Sequence, residues 1–150
     1  MIILSFNCCG FASTQKKLGL KVIFQNYYPH VIMLQETLGV GEIMLNFVSK
    51  MMSGWSFVTV DAKGRSGDLA LGVKDISVKL LNSWGSELVL GDEVYSLELC
   101  SRFLLINIYG LYPDRVLFRN NILSKSFMKN PNLVVRRVFI FLLDCLSIGV

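Results

Sequence analysis

Apolar and polar positions change texture along this chain, and the changes mark its elements. MIILSF at 1–6 has no polar face and reads as a buried strand. Ser13 or Thr14 can cap a helix running through about Tyr28, with Leu20, Ile23, Phe24 and Tyr27 on one face. Pro29 ends it, and VIMLQ at 31–35 is a second buried strand. Strand, helix, strand within so short a span predicts a βαβ unit with parallel strands. GEIMLNFVSKMM at 41–52 has a helical stripe of Ile43, Met44, Phe47, Val48 and Met51, stopped by Gly54.

The period then shortens. WSFVTVDA, DLALGV, SVKLLNSW, EVYSLELC and FLLINIYG predict an antiparallel meander, with Gly64, Gly67, Asn82, Gly85, Gly91 and Asp92 as turn residues between the strands. Pro113 and Asp114 open a third helix with Val116, Leu123 and Phe127 on one face, closed by Asn130 and Pro131. NLVVRRVFIFLLD at 132–144 reads as one more, unusually long strand. The expected fold class is α/β: a single domain with a partly parallel, partly antiparallel sheet and helices on one face.

Two of these strands end in polar side chains. SFNCCG at 5–10 delivers the amide of Asn7, and LQET at 34–37 delivers the carboxylate of Glu36. Open α/β sheets keep their sites at the carboxyl ends of strands. An acid and an amide there can form part of an oxygen-rich site for a divalent cation and a phosphate. Taken alone, Glu36 could equally cap the next turn, and Asn7 could form a turn before Gly10.

Composition narrows the class. The 150 residues suit one domain, and 53% are hydrophobic against 17% charged. A mean hydropathy of +0.52 is high for a small soluble domain and suggests a partner or a missing neighbour. Net charge is +4, which permits a DNA or RNA partner without requiring one; Lys16, Lys17 and Lys21 read as a solvated helix face. Cys8, Cys9, Cys100 and Cys145 fit no zinc spacing and read as reduced thiols. No targeting signal is seen, so cytoplasm or nucleus is expected. The apolar run at 138–150 carries Asp144 and falls short of the ~20 residues of a membrane span, so no membrane partner is expected. The single histidine, His30, begins the Glu36 strand and so lies roughly 16 Å from its far end.

SFNCCG, LQET, GRSGDLALGV and LLINIYG stand in an order that resembles the endonuclease/exonuclease/phosphatase superfamily. The wording GWSFVTVDAKGRSG and NSWGS looks most like plant members related to LINE-type retrotransposon endonucleases. The likeness runs to about residue 135. It implies a four-layer α/β sandwich, of which this chain supplies the N-terminal half, and hydrolysis of phosphodiester bonds with Mg²⁺ or Mn²⁺. It implies that Glu36 binds the metal, that Asn7 hydrogen-bonds beside it and that the Tyr109 hydroxyl supports the phosphate. Tyr109 could also be an ordinary sheet tyrosine. Arg65 stays unassigned, and Asp68 departs from the small residue expected there.

The same resemblance predicts a strand ending in Gly-Gly-Asp-(Phe/Leu)-Asn after NPNLV. Here Val138 and Ile140 occupy the Asp and Asn positions, and neither can ligate a cation or activate water. The family's late acid and closing Asp-His pair are not reached. The expectation is therefore a partial domain over 1–135 with a divergent apolar tail at 136–150, inactive as it stands. One sheet without its partner would expose an apolar inner face open to self-association.

Overall fold

The computed structural model describes residues 1–8, 10, 13–37, 46, 49–50, 52–61, 68–86, 89–109 and 129–137. Its elements are β1 (Ile3–Asn7), α1 (Thr14–Tyr27), β2 (Val31–Gln35), β3 (Trp55–Val60), β4 (Leu69–Lys74), β5 (Val78–Ser86), β6 (Val89–Ser96), β7 (Ser101–Ile108) and β8 (Leu133–Arg137). The mixed α/β class is as expected. Of the second predicted helix, Asn46, Ser49 and Lys50 are helical. The third helix, Arg65, Gly67, Val138 and Ile140 lie outside the described residues.

Sequence chemistry sets the ends of α1. The Ser13 hydroxyl accepts from the Lys16 amide, and Tyr28 closes the helix in a left-handed conformation (φ 45°), donating its N–H to Phe24 O. Leu20 is buried, and with Phe24 it packs over Ile32, Leu34 and Ala70. Tyr27 does not join that face. It is 59% exposed, because the helix ends there.

The strands form two sheets, in the orders β1-β2-β4-β3 and β5-β6-β7-β8. β1 and β2 are parallel, as the βαβ unit predicts, whereas β4 pairs antiparallel with both β2 and β3. The second sheet is an antiparallel β5-β6-β7 meander with β8 added parallel to β7. A shared core joins the sheets: Val31, Met33, Leu69, Leu71 and Val73 from the first meet Val78, Leu90, Val94 and Leu105 from the second. The uncovered inner face expected from one sheet alone is therefore absent among the described residues. All five residues of β2 are buried, which accounts for its unbroken apolar run. No helix among the described residues is long and apolar enough to cross a membrane.

The predicted turn at Asn82–Asp92 is corrected. Asn82 and Gly85 lie within β5, and Gly91 and Asp92 within β6. The glycines mark close approach instead of reversal. A Cβ at Gly91 would sit 2.3 Å from the ring of its cross-strand partner Trp84, and one at Gly85 would sit 2.5 Å from Val60 Cγ2 on the facing sheet. The indole lies over Gly91, an aromatic covering a cross-strand glycine.

Asp92 is buried on the core side of β6, sharing that side with Leu105 across the ladder. Ser83 Oγ donates to its Oδ1 at 2.6 Å, while Oδ2 has no hydrogen-bond partner among the described residues. Burial raises its pKa from 3.8 to about 6, and the Ser83 hydrogen bond offsets part of that rise.

Two outcomes follow from this packing. Gly91→Ala should destabilise the fold by about 1–3 kcal/mol and red-shift tryptophan emission; in the Trp84→Ala background, denaturant titration should show most of that cost gone. Asp92 binds its proton more tightly folded than unfolded, so its contribution is full below pH 3.8 and is lost as pH rises through about 6. The stability of Asp92→Asn relative to the parent should therefore increase by roughly 3 kcal/mol between about pH 4 and 7. A pH-independent difference would show that the carboxyl is not desolvated.

Candidate functional site

The two sheets bring several polar side chains to one end of the sandwich. β1 and β2 run in parallel with Asn7 opposite Gln35, and antiparallel pairing puts Gln35 opposite Leu69, the first residue of β4. Asn7, Glu36 and Asp68 thus share an edge. Tyr109 follows the last residue of β7, and Asn107 on the same strand reaches across to that edge. Sequence reading named Asn7, Glu36 and Tyr109, and all three lie at this end. His30 lies at the other. Its backbone N–H donates to Ile2 O, its Nδ1 accepts from Ile2 N–H, and its Nε2 is 4.0 Å from Glu98 Oε2.

Glu36 has unusual backbone geometry. Its φ is 52°, a region that a residue with a side chain seldom enters. Two hydrogen bonds hold it there: its N–H donates to Asp68 O at 2.9 Å, and its C=O accepts from Gly10 N–H at 2.7 Å. Cys8 N–H donates to Gln35 O at 2.8 Å, so the loop after β1 is tied to the end of β2 at two successive carbonyls. Such a conformation persists only where the surroundings over-determine it, and it concentrates at functional positions. Glu36 is half-buried and Asn7 is exposed, so both are open to a ligand.

Tyr109 differs. Only 3% exposed, it belongs to the core between the sheets, beside Leu69 and Leu105. Asp68 is buried at the start of β4, and its backbone pairs with Glu36. The unexplained acid of the sequence thus adjoins the predicted metal ligand. The oxygens of Glu36, Asn7 and Asp68 are hard donors of the kind magnesium or manganese takes. Among the described residues, no three His, Cys, Asp or Glu side chains gather as a metal group.

Sequence reading assigned no role to Asn107 and Gln35. Both are fully buried. Asn107 Nδ2 donates to Leu34 O at 3.1 Å and to Ala70 O at 3.3 Å, and its Oδ1 accepts from Gln35 Nε2 at 2.5 Å. The available signal was parity: Asn107 alternates in phase with Leu105 and Tyr109, so an amide had to face the core.

No family model matches this sequence, and no curated protein matches it by sequence comparison. Solved structures match it by fold. Zebrafish TDP2 complexed with a single-strand DNA product matches with a TM-score of 0.68 and 16% identity, covering 90% of this chain and 58% of that one. An endonuclease/exonuclease/phosphatase family protein from Bacteroides thetaiotaomicron matches with a TM-score of 0.65 and 12% identity, covering 90% and 59%. The Leishmania major AP endonuclease matches with a TM-score of 0.54 and 24% identity, covering 82% and 44%. The chain therefore spans less than two thirds of the length of these structures, and the likeness establishes the fold.

The strain at Glu36 gives a direct test. Glu36→Gly should be neutral or stabilise the fold by up to about 1 kcal/mol, whereas the β-branched Glu36→Val should cost about 1–3 kcal/mol in thermal or urea unfolding. Equal destabilisation by both would mean that the left-handed backbone at this position is not what the substitutions report.

Proposed function

We propose that this chain, which has the endonuclease/exonuclease/phosphatase fold, is a degenerate member of that family of metal-dependent phosphodiesterases, with an ancestral activity on nucleic acid and no hydrolysis as it stands. The observation that carries this reading is the carboxylate of Glu36, held in a strained conformation at the carboxyl end of β2 with Asn7 and Asp68 on the same edge. A cation bound there would polarise a phosphate oxygen and neutralise its charge. Glu36 would hold it, with Asn7 orienting its neighbours and Tyr109 supporting the phosphate end from the core.

The reasons for inactivity lie in the next motif. β8 is parallel to β7, with Arg137 opposite Ile108, so the chain leaves β8 at the site end. The residues that follow include Val138 and Ile140, where the family's Asp and Asn would stand. Neither side chain has a donor or a lone pair. His30 is at the far end of β2, away from Glu36, so it does not supply a general base at this end. Nucleic acid is favoured as the substrate class by the wording that resembles LINE-type retrotransposon endonucleases and by the DNA held by one structural neighbour, and the net charge of +4 permits it.

Incubation with supercoiled plasmid and Mg²⁺ should show no nicking above background. Plasmid retention on the protein should fall steeply with salt, as phosphate contacts require. Nicking abolished by Glu36→Ala would overturn the proposed inactivity. Failure to retain either DNA or Mn²⁺ would overturn the half-site itself.

A further inference from the structure

We infer that Asn107, acting with Gln35, is a positioning residue: it pins the two sheets together at the site end and so fixes where Glu36 and Tyr109 stand relative to each other. The inference rests on the reading of Glu36 as a cation ligand only for what is positioned; the pin itself is a matter of geometry.

The hydrogen-bond phase of the first sheet shows how the pin works. Glu36 N–H donates to Asp68 O, so Leu34 and Ala70, one pair further in, face each other as a directly hydrogen-bonded pair. Their carbonyls already serve the β2–β4 ladder. Each has a second lone pair, and Asn107 Nδ2 takes both from the facing sheet. Leu34 and Ala70 turn their own side chains to the outer face, towards α1, which leaves open backbone on the inner face for the amide to reach. With Nδ2 committed to two acceptors, Oδ1 must accept, and Gln35 Nε2 supplies the donor.

Three hydrogen bonds therefore converge on one amide two residues from Tyr109, on partners one or two residues from Glu36 and Asp68. Apolar contacts elsewhere between the sheets, such as Val60 beside Gly85, fit by shape and carry no requirement for direction. This contact carries one, because both carbonyls and the Gln35 amide must be met together. Gln35 Oε1 is buried without a partner among the described residues.

A paired apolar replacement separates positioning from stability. Replacing both partners of a buried polar contact by apolar groups of similar size can leave stability nearly unchanged. Gln35→Met/Asn107→Leu should keep a melting temperature within a few degrees of the parent. The Glu36 and Gly10 amides should nevertheless exchange hydrogen roughly tenfold faster, while those of His30 and Lys74 at the other end stay protected. Mn²⁺ affinity should fall about tenfold, the lower end of what losing an outer support of a metal ligand costs. Leu105→Ala, a core truncation on the same face of β7, should lower the melting temperature yet leave Mn²⁺ affinity and the ratio of the two sets of exchange rates unchanged. Unchanged exchange at Glu36 and Gly10 in the double variant would overturn the pin. So would a loss of Mn²⁺ affinity in Leu105→Ala as large as in the double variant. If the parent itself binds no Mn²⁺, the half-site reading fails, and the exchange comparison still decides the pin.

Discussion

The inter-sheet contact of Asn107 is the constraint on which the site end depends. Hydrophobic burial drives the two sheets together, but it is proportional to area and indifferent to direction. The apolar layer of Val, Leu and Met brings the sheets together and fits them by shape, as at Val60 beside Gly85. The amide of Asn107 supplies direction, because its donors are met only where Leu34 O and Ala70 O lie side by side. Buried polar groups that lose a partner cost more than they contribute when satisfied, so any slip of β7 over β2 and β4 is penalised.

Much of the fold is legible in the sequence because its signals are local. The unbroken run VIMLQ announces a strand buried on both faces, Ser13 and Pro29 bracket α1, and the βαβ unit fixes β1 and β2 as parallel. The division into two sheets is not local. Nothing in SVKLLNSW says that it pairs with a new sheet instead of extending the first, since strands of either sheet alternate alike. The error at Asn82–Asp92 has the same root. Glycine signals either a turn or a close approach, and only the position of Trp84 over Gly91 and of Val60 beside Gly85 distinguishes them.

The candidate site divides along the same line. Glu36 and Asn7 were legible because a polar residue ending an apolar strand stands out by position. Asp68 stood out only as an oddity until β4 was seen to pair with β2 and bring it beside Glu36. Asn107 and Gln35 were hidden by their surroundings. An amide within LLINIY or at the end of VIMLQ reads as a minor blemish in a hydrophobic run, and its meaning depends on a partner 72 residues away. Tyr109 lies at the same end as Glu36, and its burial between the sheets is not legible from a strand terminus.

Strain and degeneracy then bear on each other. A left-handed Glu36 is a standing cost that glycine would relieve, and a fold with no use for the carboxylate gains nothing by keeping it. The surrounding structure is nonetheless built to hold it: Gly10 and Asp68 clasp its backbone, and Asn107 bonds β2, which leads into it, and the neighbouring β4. Val138 and Ile140 take the opposite course, placing hydrocarbon where the resemblance expects oxygen and nitrogen. On the proposed reading catalysis needs both halves: a cation on Glu36 would bind and polarise a phosphate, whereas directing an attacking water falls to the Asp position that Val138 occupies. Binding needs only the first half. On the proposed reading, the strained acid at Glu36 and the hydrocarbon at Val138 and Ile140 together favour gripping a phosphodiester over cutting it.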